Sequence, residues 1–264
     1  MLDQLSGATR VHFIVGDPIA QVKSPFGVTQ AFEARGHNAV CIPAHVRSTD
    51  LRQWHEGVSK SHNVDGIIVT VPHKLAYQAL CATLSPRAEF LQAVNTLRRN
   101  ADGSWHGDMF DGLGYVQALR EKGCQIAGRR ALLVGAGGAG SAIAHGLVVA
   151  GVSELAVHDE NTARRDSLIE RLNSLNQAKV VIGSSDPSGF DVAINATPIG
   201  MQVQDPLPLL ADRLSAATFV GCVITAPAVP PLIAQARALG CATLTGADMF
   251  AKVRDLMVDF LLEA

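Results

Sequence analysis

Apolar residues follow two rhythms along this chain. Short continuous runs bounded by glycine and proline (VHFIV at 11–15, GIIVTV at 66–71, ALLV at 131–134) show no polar alternation. That is the pattern of parallel strands buried on both faces. Between them lie stretches with apolar positions three and four apart, such as Leu51, Trp54 and Val58, which predict helices. The first part reads as strand 11–15, helix 26–35 closed by Gly36, strand 38–44, helix 49–58, strand 66–71 and helix 75–84. Two prolines and a glycine make GDPIAQVKSP, 16–25, a loop. Stretches 93–97 and 104–108 are extended, and Ala101, Asp102 and Gly103 supply a hairpin turn between strands there. Further on come helix 111–122, strand 131–134, helix 138–150, strand 154–158 and helix 162–175. Strands 179–182, 192–195, 218–223 and 242–244, a helix at 230–239 and a final amphipathic helix at 248–262 complete the chain. This alternation predicts parallel sheets with right-handed crossovers, in two α/β blocks that divide near residue 105 with a ligand cleft between them.

The run ALLVGAGGAG places Gly135, Gly137 and Gly140 in GxGxxG spacing between a strand and a helix. Gly135 would permit the tight turn, Gly137 the approach of a pyrophosphate, and Gly140 close packing of helix on strand. Free N–H groups at the helix start would face the phosphates. The next strand ends on Asp159, about 20 residues beyond Gly140, where a carboxylate is expected to hold the adenosine ribose. The pattern reads as a dinucleotide site; the bland alternative is a glycine-rich turn in an unrelated α/β protein.

Composition narrows the classes further. The 264 residues suffice for one large domain or two ordinary ones, and 48% hydrophobic with 17% charged residues describes a folded globular chain. A net charge of −2 offers no general attraction to nucleic acid or an anionic membrane. No apolar run approaches a membrane span, and MLDQLSGATR lacks the layout of a signal peptide, so the expected compartment is cytoplasmic. Five scattered cysteines read as reduced thiols, and nine histidines without metal-ligand spacing predict no metal site.

A nicotinamide dehydrogenase needs a group that takes or gives the hydroxyl proton. Lys74 follows a buried strand, where ligands meet open α/β sheets, and Asp111 stands in the glycine-rich GDMFDGLG. Taken alone, a lysine after proline also reads as solvated, and an aspartate before glycine as a turn or cap.

GDPIAQVKSP (16–25), VTVPHK (69–74), AVNTL (93–97), GDMFDGLG (107–114), GAGGAG (135–140), NATPIGM (195–201) and GADMFAKV (246–253) stand in the order seen in shikimate and quinate dehydrogenases. The chain resembles that family over essentially its whole length. The resemblance implies an N-terminal α/β substrate domain, 1–105 with 245–264, and a Rossmann-type dinucleotide-binding domain, 106–244, the last helix returning to the first domain. It implies Lys74 and Asp111 as the catalytic pair, with Ser24, Thr70 and Asn95 as polar substrate contacts. It places Gly135, Ala136, Gly137, Gly138, Ala139, Asp159, Asn195, Thr197, Pro198, Gly200 and Met249 at the cofactor. The implied chemistry is hydride transfer between a nicotinamide dinucleotide and a hydroxylated ring acid, in aromatic amino acid biosynthesis or quinate metabolism.

Departures from the family pattern fall on the substrate side. Val22 replaces a hydroxyl of the usual SxS, Ile68 an asparagine, Met109 and Phe110 the NT of NTDG, Thr225 a tyrosine and Val253 a glutamine. An unpartnered buried polar group costs about 1–3 kcal/mol, so several such losses predict weak shikimate binding and a less polar or differently substituted ring acid. Asp159, Glu160 and Asn161 stand where NADP-using members carry NRT. Asp159 would accept from the ribose hydroxyls and repel a 2′-phosphate, which favours NAD over NADP, with Arg164 and Arg165 expected on the helix surface; the alternative is that they reach a 2′-phosphate and admit NADP. The alternatives are a nucleotide-binding homologue without turnover and a nonredox enzyme using bound NAD. The expected partner is a small molecule, with no nucleic acid or membrane, and the expected state a monomer or homodimer paired through the first block's edge strand.

Overall fold

The computed structural model describes residues 5–202 and 204–263. The chain divides into two units, one running to Phe110 and resuming at Arg254, the other Asp111–Val253. The sequence placed these boundaries at 105/106 and 244/245. The first moves because the strand Trp105–Asp108 pairs within the first unit's sheet. The second moves because the early residues of the last helix pack in the second unit, where Val253 lies against Gly114 and Asp248 pairs with Lys122.

The first unit holds strands β1 (Arg10–Gly16), β2 (Ala39–His45), β3 (Val64–Val69), β4 (Thr83–Leu84), β5 (Thr96–Arg99) and β6 (Trp105–Asp108). They form one sheet in the order β2-β1-β3-β5-β6-β4. Strands β1, β2 and β3 run parallel, as the alternation predicts, and β5 is antiparallel to both β3 and β6, so the sheet is mixed. The β5–β6 pair is the hairpin expected across 101–103, which reverses the chain without a helical crossover. Helices α1 (Ser24–Ala34) and α2 (Leu51–Val58) follow β1 and β2. The helix expected over 75–84 is instead a 3₁₀ turn, Ala76–Leu80, followed by β4. A helix not foreseen, α3 (Pro86–Leu91), starts where Ser85 accepts a hydrogen bond from the Ala88 N–H and Pro86 occupies the first turn.

In the second unit, α4 (Asp111–Glu121) leads into β7 (Arg130–Val134), α5 (Gly138–Val149), β8 (Glu154–His158), α6 (Thr162–Asn173), β9 (Lys179–Ile182), β10 (Val192–Asn195), β11 (Phe219–Cys222), α7 (Pro231–Ala238), β12 (Thr243–Leu244) and α8 (Gly246–Leu262). The sheet order is β12-β11-β10-β7-β8-β9, parallel throughout. Strand order reverses between β7 and β10, the switch point of a doubly wound fold, where ligands meet such sheets. Leu132, Val134, Ala193, Val220, Cys222 and Ile233 fill the core there. Among the described residues no helix is long and apolar enough to cross a membrane.

Candidate active site

The glycine turn leaves β7 at the switch point, and each glycine meets a different constraint. Gly135 has φ +106°, a conformation side-chain-bearing residues rarely adopt. A Cβ at Gly140 would collide with the Gly135 carbonyl oxygen. A Cβ at Gly137 would meet nothing within 4 Å. That open backbone at the start of α5 is room for a ligand, and the turn fits a dinucleotide's phosphates. Ala136 is buried, while Gly138 and Ala139 are half-buried in the helix's first turn.

Asp159, just past the end of β8, is buried and heavily bonded. It accepts from the Ala136 N–H at 2.6 Å, the Asn161 N–H at 2.8 Å and the Arg164 guanidinium at 2.7 and 2.9 Å. Burial pushes its carboxyl up, but Arg164 and the two backbone donors outweigh this and hold it below the usual aspartate value. Arg164 is exposed on the helix surface, as expected, and still reaches back to bond Asp159. Asn161 caps α6 by accepting from the Arg164 N–H, which turns that side chain back onto Asp159. Arg165 pairs with Asp166.

On the other side of the turn, Asn195 stands level with Val134 on β7 and with Cys222 on β11. Its Oδ1 accepts from the Thr197 N–H at 3.0 Å and hydroxyl at 2.7 Å, and its Nδ2 donates to the Ile199 carbonyl at 3.1 Å. Gly200, with φ +104°, donates its N–H to Asp205 at 2.8 Å. These bonds shape the 195–200 loop, with Pro198 exposed at its rim. Met249 is buried in α8.

Asp111 opens α4 and is buried. Its neighbour Gly112 touches α5 so closely that a Cβ would collide with the Ala142 carbonyl oxygen, and a Cβ at Gly146 would lie 2.7 Å from the Gly112 oxygen. Asp111 is thus fixed to the helix that follows the glycine turn. The glycines at 112 and 146 were visible in the sequence, but nothing local said that they face each other.

In the first unit, Lys74 follows β3 and is half-buried, its carbonyl accepting from the Val94 N–H at 2.9 Å. His73 beside it is buried and bonds the Val46 carbonyl through Nε2 at 2.7 Å. Asn95 is buried and accepts from the Phe110 N–H at 3.0 Å through Oδ1, and the Val69 N–H bonds its carbonyl at 2.7 Å. This brings 69–74 and 93–95 together at one end of the sheet. Ser24 is buried at the start of α1, and Thr70 and Val22 are half-buried.

The apolar substitutions expected at the substrate are mostly packed in protein. Ile68 and Met109 are buried. The Phe110 ring lies 5.3 Å from Phe260 and beneath the Arg87 guanidinium at 4.7 Å. Arg87 also pairs with the buried Asp108, which the Ser85 hydroxyl and the Met109 N–H bond as well. Val253 packs on Gly114. Among the described residues no group of three or more His, Cys, Asp or Glu could hold a metal ion.

Residues 14–97 match the family model described as shikimate dehydrogenase substrate binding domain. A shikimate dehydrogenase (NADP(+)) of Rubrobacter xylanophilus is 34% identical over 248 residues, covering 92% of this chain and 87% of the relative. Shikimate 5-dehydrogenase of Listeria monocytogenes, solved with shikimate and NAD, superposes with a TM-score of 0.86 at 28% identity, over 98% of this chain and 96% of that one. Quinate dehydrogenase of Corynebacterium glutamicum, solved with NAD, gives 0.87 at 27%, over 96% and 94%.

Proposed function

We propose, since this chain belongs to the shikimate and quinate dehydrogenase family and is thereby a nicotinamide-dependent CH–OH oxidoreductase, that it moves hydride between NAD and a ring alcohol or ketone of shikimate, quinate or a less polar analogue. The observation that carries the cofactor half is the open backbone at Gly137 beside the Asp159 carboxylate, at the switch point of a parallel sheet. When bound, the nicotinamide ring supplies the hydride acceptor or donor. Lys74 and Asp111 hold and pass the proton of the reacting hydroxyl, and Asn95, with Ser24 and Thr70, bonds the substrate's oxygens. Asn195, Thr197, Pro198, Gly200 and Met249 line the nicotinamide end.

The choice of NAD rests on Asp159. To accept from the ribose it exchanges one Arg164 bond for a ribose hydroxyl, while a 2′-phosphate would meet its negative charge. Asp159→Asn is expected to lower the ratio of kcat/KM for NAD to that for NADP at least tenfold; an unchanged ratio overturns the assignment. The substrate half is tested by following reduced-cofactor absorbance with NAD and a panel of hydroxylated ring acids. Turnover with shikimate at a micromolar KM would remove the less polar analogue. Lys74→Met and Asp111→Asn should each lower kcat by about 10²- to 10⁴-fold while the KM for NAD stays within about twofold.

A further inference from the structure

The second unit contains a buried phenol that its fold does not require. Tyr115 on α4 is fully buried, and its hydroxyl has no hydrogen-bond partner among the described residues. In a dry interface phenylalanine would serve packing better, because an unpartnered hydroxyl is a net loss. Space for the phenol comes from β11, where a Cβ at Gly221 would collide with the Tyr115 oxygen. The residue after Gly221 is Cys222, whose sulfur accepts from Asn195 Nδ2 at 3.4 Å, and Asn195 organises the 195–200 loop. On the helix side, Tyr115 lies four residues after Asp111 and therefore on the same face.

We propose that Tyr115, seated in the notch at Gly221, is a positioning residue that sets Asp111 in register with the Asn195 loop, using the sheet as the common reference. The proposal rests on the reading of Asp111 as part of the proton-handling pair. Helix α4 is held at two points. Gly112 against Ala142 and Gly146 fixes it to the phosphate-turn helix, and Tyr115 in β11 fixes its rotation. One contact leaves a helix free to roll; two on one face stop it. A roll of α4 would swing Asp111 while leaving the phosphate turn, which belongs to α5, in place.

The test is a double-mutant cycle on the full-length protein, with shikimate oxidation by NAD followed through reduced-cofactor absorbance. Amide hydrogen exchange of residues 111–114 is read beside it, so that the result does not hang on the substrate chosen. Gly221→Ala is expected to lower kcat at least tenfold and to speed exchange in the first turn of α4, with the KM for NAD within twofold. Tyr115→Leu alone is expected to do the same in smaller measure, about fivefold. The double variant, in which the shorter side chain makes room for the new methyl, should lie closer to the native enzyme than Gly221→Ala in both readouts. Additive losses, or unchanged kcat and exchange in Tyr115→Leu, overturn the proposal. If Gly221→Ala does not fold, Tyr115→Leu decides by itself. Asp111→Asn separates the two claims: if it turns over normally, the role of Asp111 fails; if it is inactive while Tyr115→Leu is native in kcat and exchange, only the role of Tyr115 fails.

Discussion

Asp159 shows how one carboxylate can serve both architecture and recognition. It bonds the glycine turn through Ala136, the entry to α6 through Asn161, and Arg164, so the turn and the helix are tied together with no ligand needed, and the same carboxylate is the one proposed to meet the ribose. Its depressed pKa has a consequence of definite sign. A carboxyl held below its unfolded value of about 4 adds stability above that pH, and the contribution is lost as pH falls through the folded value. The stability gap between the native protein and Asp159→Asn should therefore narrow in urea unfolding as pH drops below about 4. His12 titrates in a different window. It is buried in β1 against Phe32, ring centroids 4.4 Å apart. Burial brings its pKa down to about 4, with Asp65 opposing and Arg10 and His37 assisting. The unfolded chain takes up a proton near pH 6.5 and the folded one does not, so stability falls between pH 6.5 and about 4. Between pH 7 and 5 the loss assigned to this residue is about 2 kcal/mol. His12→Phe should flatten that part of the stability profile; an unchanged slope would assign the acid sensitivity elsewhere. At this scale the sequence revealed which residue types matter but not their partners. Arg164 is exposed as expected, but its bond to Asp159 depends on how Asn161 caps the helix, and the contact of Phe110 with Phe260 joins residues 150 positions apart.

Among the elements, the glycine turn separates packing from recognition. Gly137→Ala adds a methyl where nothing lies within 4 Å, so the protein should melt within about a degree of the native one while NAD binding weakens at least tenfold. Gly140→Ala places a methyl against the Gly135 carbonyl and should lower the melting temperature itself, by about 4 °C or more. Calorimetry with and without NAD distinguishes the two; equal melting losses would mean that the turn is only structural. Elements marked by local signals were legible: the strand and helix on either side of the turn stand within one residue of where periodicity put them. The 75–84 segment was not. Its apolar spacing suits a helix, but Thr83 and Leu84 pair with His106 and Gly107, and no local pattern announces that distant strand. The start of α3 is marked in the sequence by Ser85 and Pro86, a cap signal that follows directly on the apolar run.

For the whole molecule, two units imply two cooperative blocks. A ligand held at the glycine turn stabilises the block that contains it, by about 2.7 kcal/mol at a hundred times its Kd. Adding NAD should raise the unfolding transition of Asp111–Val253 in the native protein and leave Gly137→Ala nearly unmoved, as read by scanning calorimetry. The other block depends on the end of the chain. Arg35 pairs with Asp259, Arg98 with Glu263, and Phe260 packs against Phe110. Phe260→Ala is expected to cost that block about 3–5 kcal/mol. The dependence reaches back to synthesis. The second unit is one continuous stretch of chain, whereas the first is built from two stretches that flank it. The first unit's sheet is made first, but Phe260 of α8, which packs on Phe110, is made after the second unit. In a chain made from its N-terminus, Phe110 can therefore meet Phe260 only after the whole of the second unit has been synthesised between them.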